Sequence, residues 1–212
     1  MSSSEDAGCD LRDYFSYTTQ NYGQDERPPL ISKKSRIIFA VVGGDVEALE
    51  SLLDSPRWYN VRDQSGHDLL QIAILLYKRQ VFNFLLSLEG YPFDAVDKRG
   101  LTPLHVAVTV GHRKEYFAMK LIRKGADVHA TSKSGDTPLH YAIYRDCNLK
   151  IVEFLIINGA DINAQNCDGE TPLHKMFTQL SMNSAVLIEA VSMILYYGSD
   201  VSIPNKLGQN AL

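Results

Sequence analysis

Three histidines, His105, His140 and His174, follow one another at intervals of 35 and 34 residues, each closing the tetrapeptide Thr-Pro-Leu-His. Imidazole is the side chain best suited to metal ligation and to proton transfer near neutral pH. One imidazole per repeating unit, however, puts neighbours about 10 Å apart at ordinary helix-packing distances, too far to share a metal ion. Each is expected instead to hydrogen-bond backbone in the adjoining loop and tie successive units together. The cysteines Cys9, Cys147 and Cys167 are odd in number and form no CxxC pair, which points to reduced thiols rather than a disulfide framework or a zinc site. Asp97, Asp127, Asp161 and Asp200 recur with the repeat and are assigned to loop geometry. No phosphate loop, nucleophile elbow or HExxH appears, and Gly43-Gly44 reads as a turn between helices. No nucleophile is assembled with a base and an orienting group, so no catalytic, cofactor or metal residue and no small-molecule substrate is expected.

The elements that carry these residues follow from the same period. A glycine stands two positions before each threonine (Gly100, Gly135, Gly169), and Gly66 and Gly208 extend the series. In phase with it run Gly125-Ala126-Asp127-Val128, Gly159-Ala160-Asp161-Ile162 and Gly198-Ser199-Asp200-Val201. Thr102 suits an N-cap, and Pro103 suits the first helical position, where a missing N–H costs nothing. The short helix that begins there is expected to end near Gly111-His112, and a second to run from about Lys114 to Lys124 before Gly125 stops it. The same pattern predicts helix pairs at 36–42 with 46–53, 69–76 with 80–87, 139–144 with 149–157, and 173–180 with 185–196. One pair cannot bury its own apolar face, so neighbours must stack.

With motif, helix pattern and period in agreement over roughly residues 35–212, the chain resembles the ankyrin-repeat family. Residues 97–107 and 166–174 carry the likeness most fully. The resemblance implies an all-α solenoid: antiparallel helix pairs with β-hairpin-like loops along one edge, five pairs and the start of a sixth. The second unit has His67-Asp68-Leu69-Leu70-Gln71 in place of the motif, so its first turn should be less tightly fixed. The last full unit has Met176 where a small residue belongs, and about five extra residues near 181–185 should bulge between its helices. The repeat stops in mid-motif at Leu212, as though cut within its last unit.

Residues 1–34 form a separate, weakly ordered tail with a Ser/acidic start and the aromatics Tyr14, Phe15, Tyr17 and Tyr22 available to pack on the first helix pair. Lys33-Lys34-Ser35-Arg36 is more simply the solvated start of a helix than an import signal. A polar, acidic start without an apolar stretch, and no run long enough to span a bilayer, lead to the expectation of a cytoplasmic or nuclear protein that does not insert in membranes. The net charge of −4, from 21 Lys+Arg against 25 Asp+Glu, gives no reason to expect nucleic acid as a partner.

Function must then come from surface. The resemblance implies a non-catalytic module that scaffolds or sequesters a protein through its hairpin tips and the inner face of its first helices. Carried over position by position, the tips are Gln64, Ser65 and His67, then Lys98, Arg99 and Leu101, then Lys133, Ser134 and Asp136, then Cys167, Asp168 and Glu170. The inner-face positions are Leu75 and Leu76, Thr109 and Val110, Tyr144 and Arg145, Thr178 and Gln179. The tips run from basic (Lys98, Arg99, Lys133) to acidic (Asp136, Asp168, Glu170), a pattern that would orient a complementary partner. Narrower readings are an IκB-like inhibitor of Rel-type factors, or a substrate-recruiting adaptor or regulatory part of a longer ligase, enzyme or channel. Leu155 followed by Asp161-Ile162-Asn163 resembles the pattern hydroxylated in many such repeats and marks Asn163 as a modification site, whereas His129 and Ser202 occupy the equivalent positions.

Overall fold

The computed structural model describes residues 32–109, 115–144, 148–177 and 184–211. Among them are ten α-helices in five antiparallel pairs: α1 (Lys33–Gly43) with α2 (Val46–Leu52), α3 (Leu69–Leu75) with α4 (Arg79–Ser87), α5 (Pro103–Thr109) with α6 (Glu115–Arg123), α7 (Pro138–Ile143) with α8 (Leu149–Ile157), and α9 (Pro172–Phe177) with α10 (Ser184–Tyr196). A 3-10 turn at Pro56–Asn60 follows the first pair. The first helices α1, α3, α5, α7 and α9 pack on one another in a row, and α6 on α8 and α2 on α4 form a second layer. The core runs through this row without interruption: Ile37, Leu69, Leu104, Leu139 and Leu173 are all 0% exposed. Between the layers Phe82 of α4 meets Phe117 of α6 edge to face, with ring centroids 4.7 Å apart.

The helix starts explain themselves. Pro103, Pro138 and Pro172 each take the first helical position, and Asp45 and Asp68 accept from the backbone N–H three residues on. Helix α1 begins at Lys33, capped by Ser32, two residues before the expected edge of the stack. The remaining predicted ends fall within a few residues; α5 is described to Thr109 and α9 to Phe177, and the expected continuations of these two helices and the expected bulge near 181–185 fall mostly outside the described residues. Tyr77 takes a left-handed φ of +57° at the α3–α4 turn, where its ring stands edge to face on Phe117 and beneath the Arg79 guanidinium. Those contacts offset the local strain.

The loops between pairs are hairpins closed by one recurring backbone bond: Asp63 N–H to His67, Asp97 to Leu101, Ser132 to Asp136, Asn166 to Glu170 and Asn205 to Gln209, at 2.9–3.0 Å. Successive tips are also zipped to each other, Lys133 N–H to Arg99 O, Cys167 N–H to Ser134 O and Lys206 N–H to Asp168 O, each 2.9 Å. The tip glycines that face a following tip are required twice over. Gly135 has φ +77°, and a Cβ there would lie 2.6 Å from the Cys167 nitrogen; Gly208 has φ +75° but nothing within 4 Å.

Gly135→Ala should therefore lose both the left-handed conformation and the tip-to-tip bond, about 3 kcal/mol, while Gly208→Ala loses only about 1 kcal/mol of conformational preference. Urea unfolding of the two variants checks this; equal losses would show that the close approach of the tips contributes nothing.

Candidate functional site

Each Thr-His pair is a two-ended clasp. The Thr102 N–H donates to His105 Nδ1 at 3.2 Å with the Thr102 hydroxyl 2.9 Å from the same atom, and His105 Nε2 lies 3.1 Å from the Asp136 carbonyl of the next loop. His140 repeats this with Thr137 and the Glu170 carbonyl at 3.0 Å, and His174 with Thr171 and the Gln209 carbonyl at 3.1 Å. A ring that accepts at Nδ1 and donates at Nε2 must be neutral. Burial pushes His105 from its ordinary 6.5 down to about 4, against the Asp136 carbonyl and the nearby carboxylates, and burial lowers His140 likewise. The histidines are thus the ties between units that their spacing suggested.

The second unit departs from expectation. Its first turn is as tightly fixed as the others, because Asp68 and Gln71 form a full capping box. Gln71 Oε1 accepts from the Asp68 N–H at 2.9 Å and Gln71 Nε2 donates to the Leu101 carbonyl at 2.6 Å, one acceptor and one donor placed as in the neutral imidazole. Asp68 is buried, with Oδ2 unpaired among the described residues, and burial carries its carboxyl up to about 7 despite the Gln71 N–H and the Arg62 charge. Beside it His67 binds Asp63 at 2.9 Å and approaches Asp97 at 3.7 Å; burial opposes its charge, but the Asp63, Asp97 and Asp68 carboxylates raise its pKa.

The four repeating aspartates divide into two kinds. Asp127, Asp161 and Asp200 each accept from the N–H two residues on, at 2.8–2.9 Å. Asp97 instead accepts from the Arg99 and Leu101 N–H groups inside the hairpin, the place held by Asn166 and Asn205 in later units. Among the described residues no group of three or more His, Cys, Asp or Glu side chains is arranged to hold a metal ion.

The tip residues sort by burial. Lys98, Arg99, Lys133, Ser134, Cys167 and Asp168 are exposed, and Glu170 is half-buried. Leu101 and Asp136, read from sequence as partner contacts, are 7% and 8% exposed and are corrected to interior positions. Leu101 and Asp136 each give their carbonyl to the preceding clasp and their N–H to their own hairpin, which turns the side chain inward. Asp136 is held by Asn166 Nδ2 and Ser134 Oγ, both at 2.7 Å. Lys175 Nζ reaches Glu170 at 3.0 Å and Asp136 at 3.8 Å; burial works against the ammonium charge, and these carboxylates with Asp168 raise its pKa above the usual range. The acidic end of the expected gradient is therefore spent internally, leaving Asp168. The sequence reading missed Lys206 and Leu207, both exposed at a fifth tip, which the offset from Gly208 could have located. Of the inner-face positions, Thr109, Tyr144, Leu75 and Leu76 are half-buried, and Thr109 directs its hydroxyl to the His105 carbonyl. Val110, Arg145, Thr178 and Gln179 lie outside the described residues. Asn163 is half-buried and clamps the next loop, accepting from the Asp200 N–H at 2.8 Å and donating to the Gly198 carbonyl at 3.3 Å.

Comparison with known proteins agrees with this geometry. A family model described as ankyrin repeats (3 copies) matches residues 70–166 and 113–205. A search of curated proteins returns no match. Among the described residues no helix is long and apolar enough to cross a membrane.

The clasp predicts a graded mutational response. His105→Ala, leaving the Asp136 carbonyl and the Thr102 N–H unpaired, should cost about 2–4 kcal/mol, whereas His105→Gln should keep more than half of that. Because the folded-state pKa of His105 is depressed, its contribution is complete above pH 6.5 and lost as pH falls toward about 4, on the order of 3 kcal/mol. Asp68 and His67 have raised pKa values and act in the opposite sense, losing their contributions as pH rises. Equilibrium unfolding of the parent and His105→Gln chains from pH 7.5 to 4 isolates the imidazole; a constant difference between them would contradict the clasp.

Proposed function

The chain belongs to the ankyrin-repeat family, a family of protein-interaction modules, and from that premise we propose that it binds an acidic segment of a partner protein along its hairpin tips. One observation carries this reading: the tips are joined backbone to backbone from Arg99 to Lys206, so their exposed side chains stand on a fixed row. A row held this way loses little conformational freedom on binding.

The charges of the row define the partner's chemistry. Lys98, Arg99, Lys133 and Lys206 are exposed, with Lys98 Nζ donating to the Gln64 carbonyl of the preceding tip, and Asp168 supplies the one exposed carboxylate among the described tip positions. Arg99 and Lys133 sit on adjacent tips tied by the Lys133 N–H to Arg99 O bond, so their charges keep a constant spacing. Charges on a rim of this kind raise the association rate and set register more than they add affinity, and salt screens them over about 8 Å at physiological ionic strength. Tyr144 and Thr109, half-buried on the inner face, add apolar contact beside the row. An IκB-like inhibitor and a recruiting adaptor are narrower forms of the same reading, separated by which protein is bound.

The triple variant Lys98→Glu, Arg99→Glu, Lys133→Glu is expected to keep the parent's helical circular dichroism and to weaken binding of the captured partner at least tenfold. Parent binding should weaken as salt rises from 50 to 500 mM, while binding by Asp168→Lys should hold or strengthen. A partner bound equally well by the triple variant sinks the proposal.

A further inference from the structure

Outside the tips, the open side of the first helix pair carries a groove of about 370 Å³ between α1 and α2, lined by Arg36, Phe39, Ala40, Gly43, Ala48 and Leu52. Its α1 wall is a stripe at i, i+3, i+4 and i+7, with Phe39 45% exposed, while Ile37 and Val41 of the same helix are 0% exposed and belong to the core. In later pairs the corresponding side is covered by the preceding pair, whereas here the described residues leave it open. A solenoid end that exposes apolar surface calls for a cap with a polar outer face.

We propose that the cap is the chain's own N-terminal segment, residues 10–18, lying in the groove as an amphipathic helix. Leu11, Tyr14, Phe15 and Thr18 fall at i, i+3, i+4 and i+7, the spacing with which a helix places anchors in an apolar groove, and Asp10, Arg12, Asp13 and Ser16 occupy the other side. Charge complements shape. Residues 1–31 hold six carboxylates against two arginines, while α1 has Lys33, Lys34 and Arg36 and no carboxylate. Arg36 in the groove's lining offers a cation for Asp10 or Asp13. The tether also fits, since the 13 residues 19–31 separate Thr18, the end of the segment, from Ser32, the cap of α1. Extended, they reach roughly 45 Å, well beyond the ~16 Å length of α1, so the segment can fold back over the helix it precedes at high effective concentration. The proposal is independent of what the tips bind.

The test uses the full chain. With Cys147→Ser and Cys167→Ser leaving Cys9 as the single thiol, a nitroxide on Cys9 is expected to broaden the amide signals of Phe39, Gly43 and Ala48 at least twofold, unchanged on tenfold dilution. Tyr14→Ala with Phe15→Ala should abolish that broadening. Broadening that is absent, spread evenly, centred on the tips or lost on dilution overturns the proposal, the last outcome assigning the groove to a second copy. In the chain with all thiols intact, Phe15→Ala and Phe39→Ala should each speed hydrogen exchange of the α1 amides roughly tenfold, with no further gain in combination. Effects that multiply in the combined variant, or no effect, would show that the two rings do not meet.

Discussion

From the second unit to the fifth, one side chain per unit links its own helix start to the loop of the next. His105, His140 and His174 accept from the N-cap N–H behind them and donate to a carbonyl 30 to 35 residues ahead, and Gln71 does the same in the second unit. Because both ends are buried backbone, losing one end leaves a polar group unpaired, a larger penalty than the bond's net worth. The hairpin, the tip-to-tip bonds and the row of first helices all take their position from this tie. Stability should accordingly depend on unit-to-unit interfaces along the chain more than on any single centre.

Much of this was legible in sequence because the repeat marks the same physical need many times. Thr-Pro-Leu-His announces cap, first helical residue, core leucine and clasp in consecutive letters, and the glycine two positions earlier announces a left-handed turn. Gln71 escaped the same reading because the motif was matched by residue type. Its equivalence to histidine appears only when donor and acceptor are seen to reach the same two backbone atoms. Leu101 and Asp136 were placed on the surface because they neighbour the tip in sequence, and their backbone bonds to two units turn them inward. The Lys175 brace joins groups 39 and 5 residues away in sequence, and no local pattern signals it.

The internal pairing of these carboxylates changes the surface as well as the interior. Asp136 and Glu170 pair within the stack, so the outward charges of the tips are mostly basic although the whole chain carries −4. All of that net negative charge resides in residues 1–31, ahead of a first helix with three cations and no carboxylate. The two surfaces left for recognition are therefore distinct in character: a charged row along one edge, and an apolar groove at the first pair.

The clasp itself is tested most directly by the nitrogen chemistry of its imidazoles. In a long-range ¹H–¹⁵N correlation of the uniformly labelled full chain, His105, His140 and His174 should appear as the Nε2–H tautomer. His105 and His140 should stay neutral below pH 6.5, His105 down to about 4. An Nδ1–H tautomer in these rings, or titration of His105 and His140 near 6.5, would mean that the repeats are not tied through their histidines.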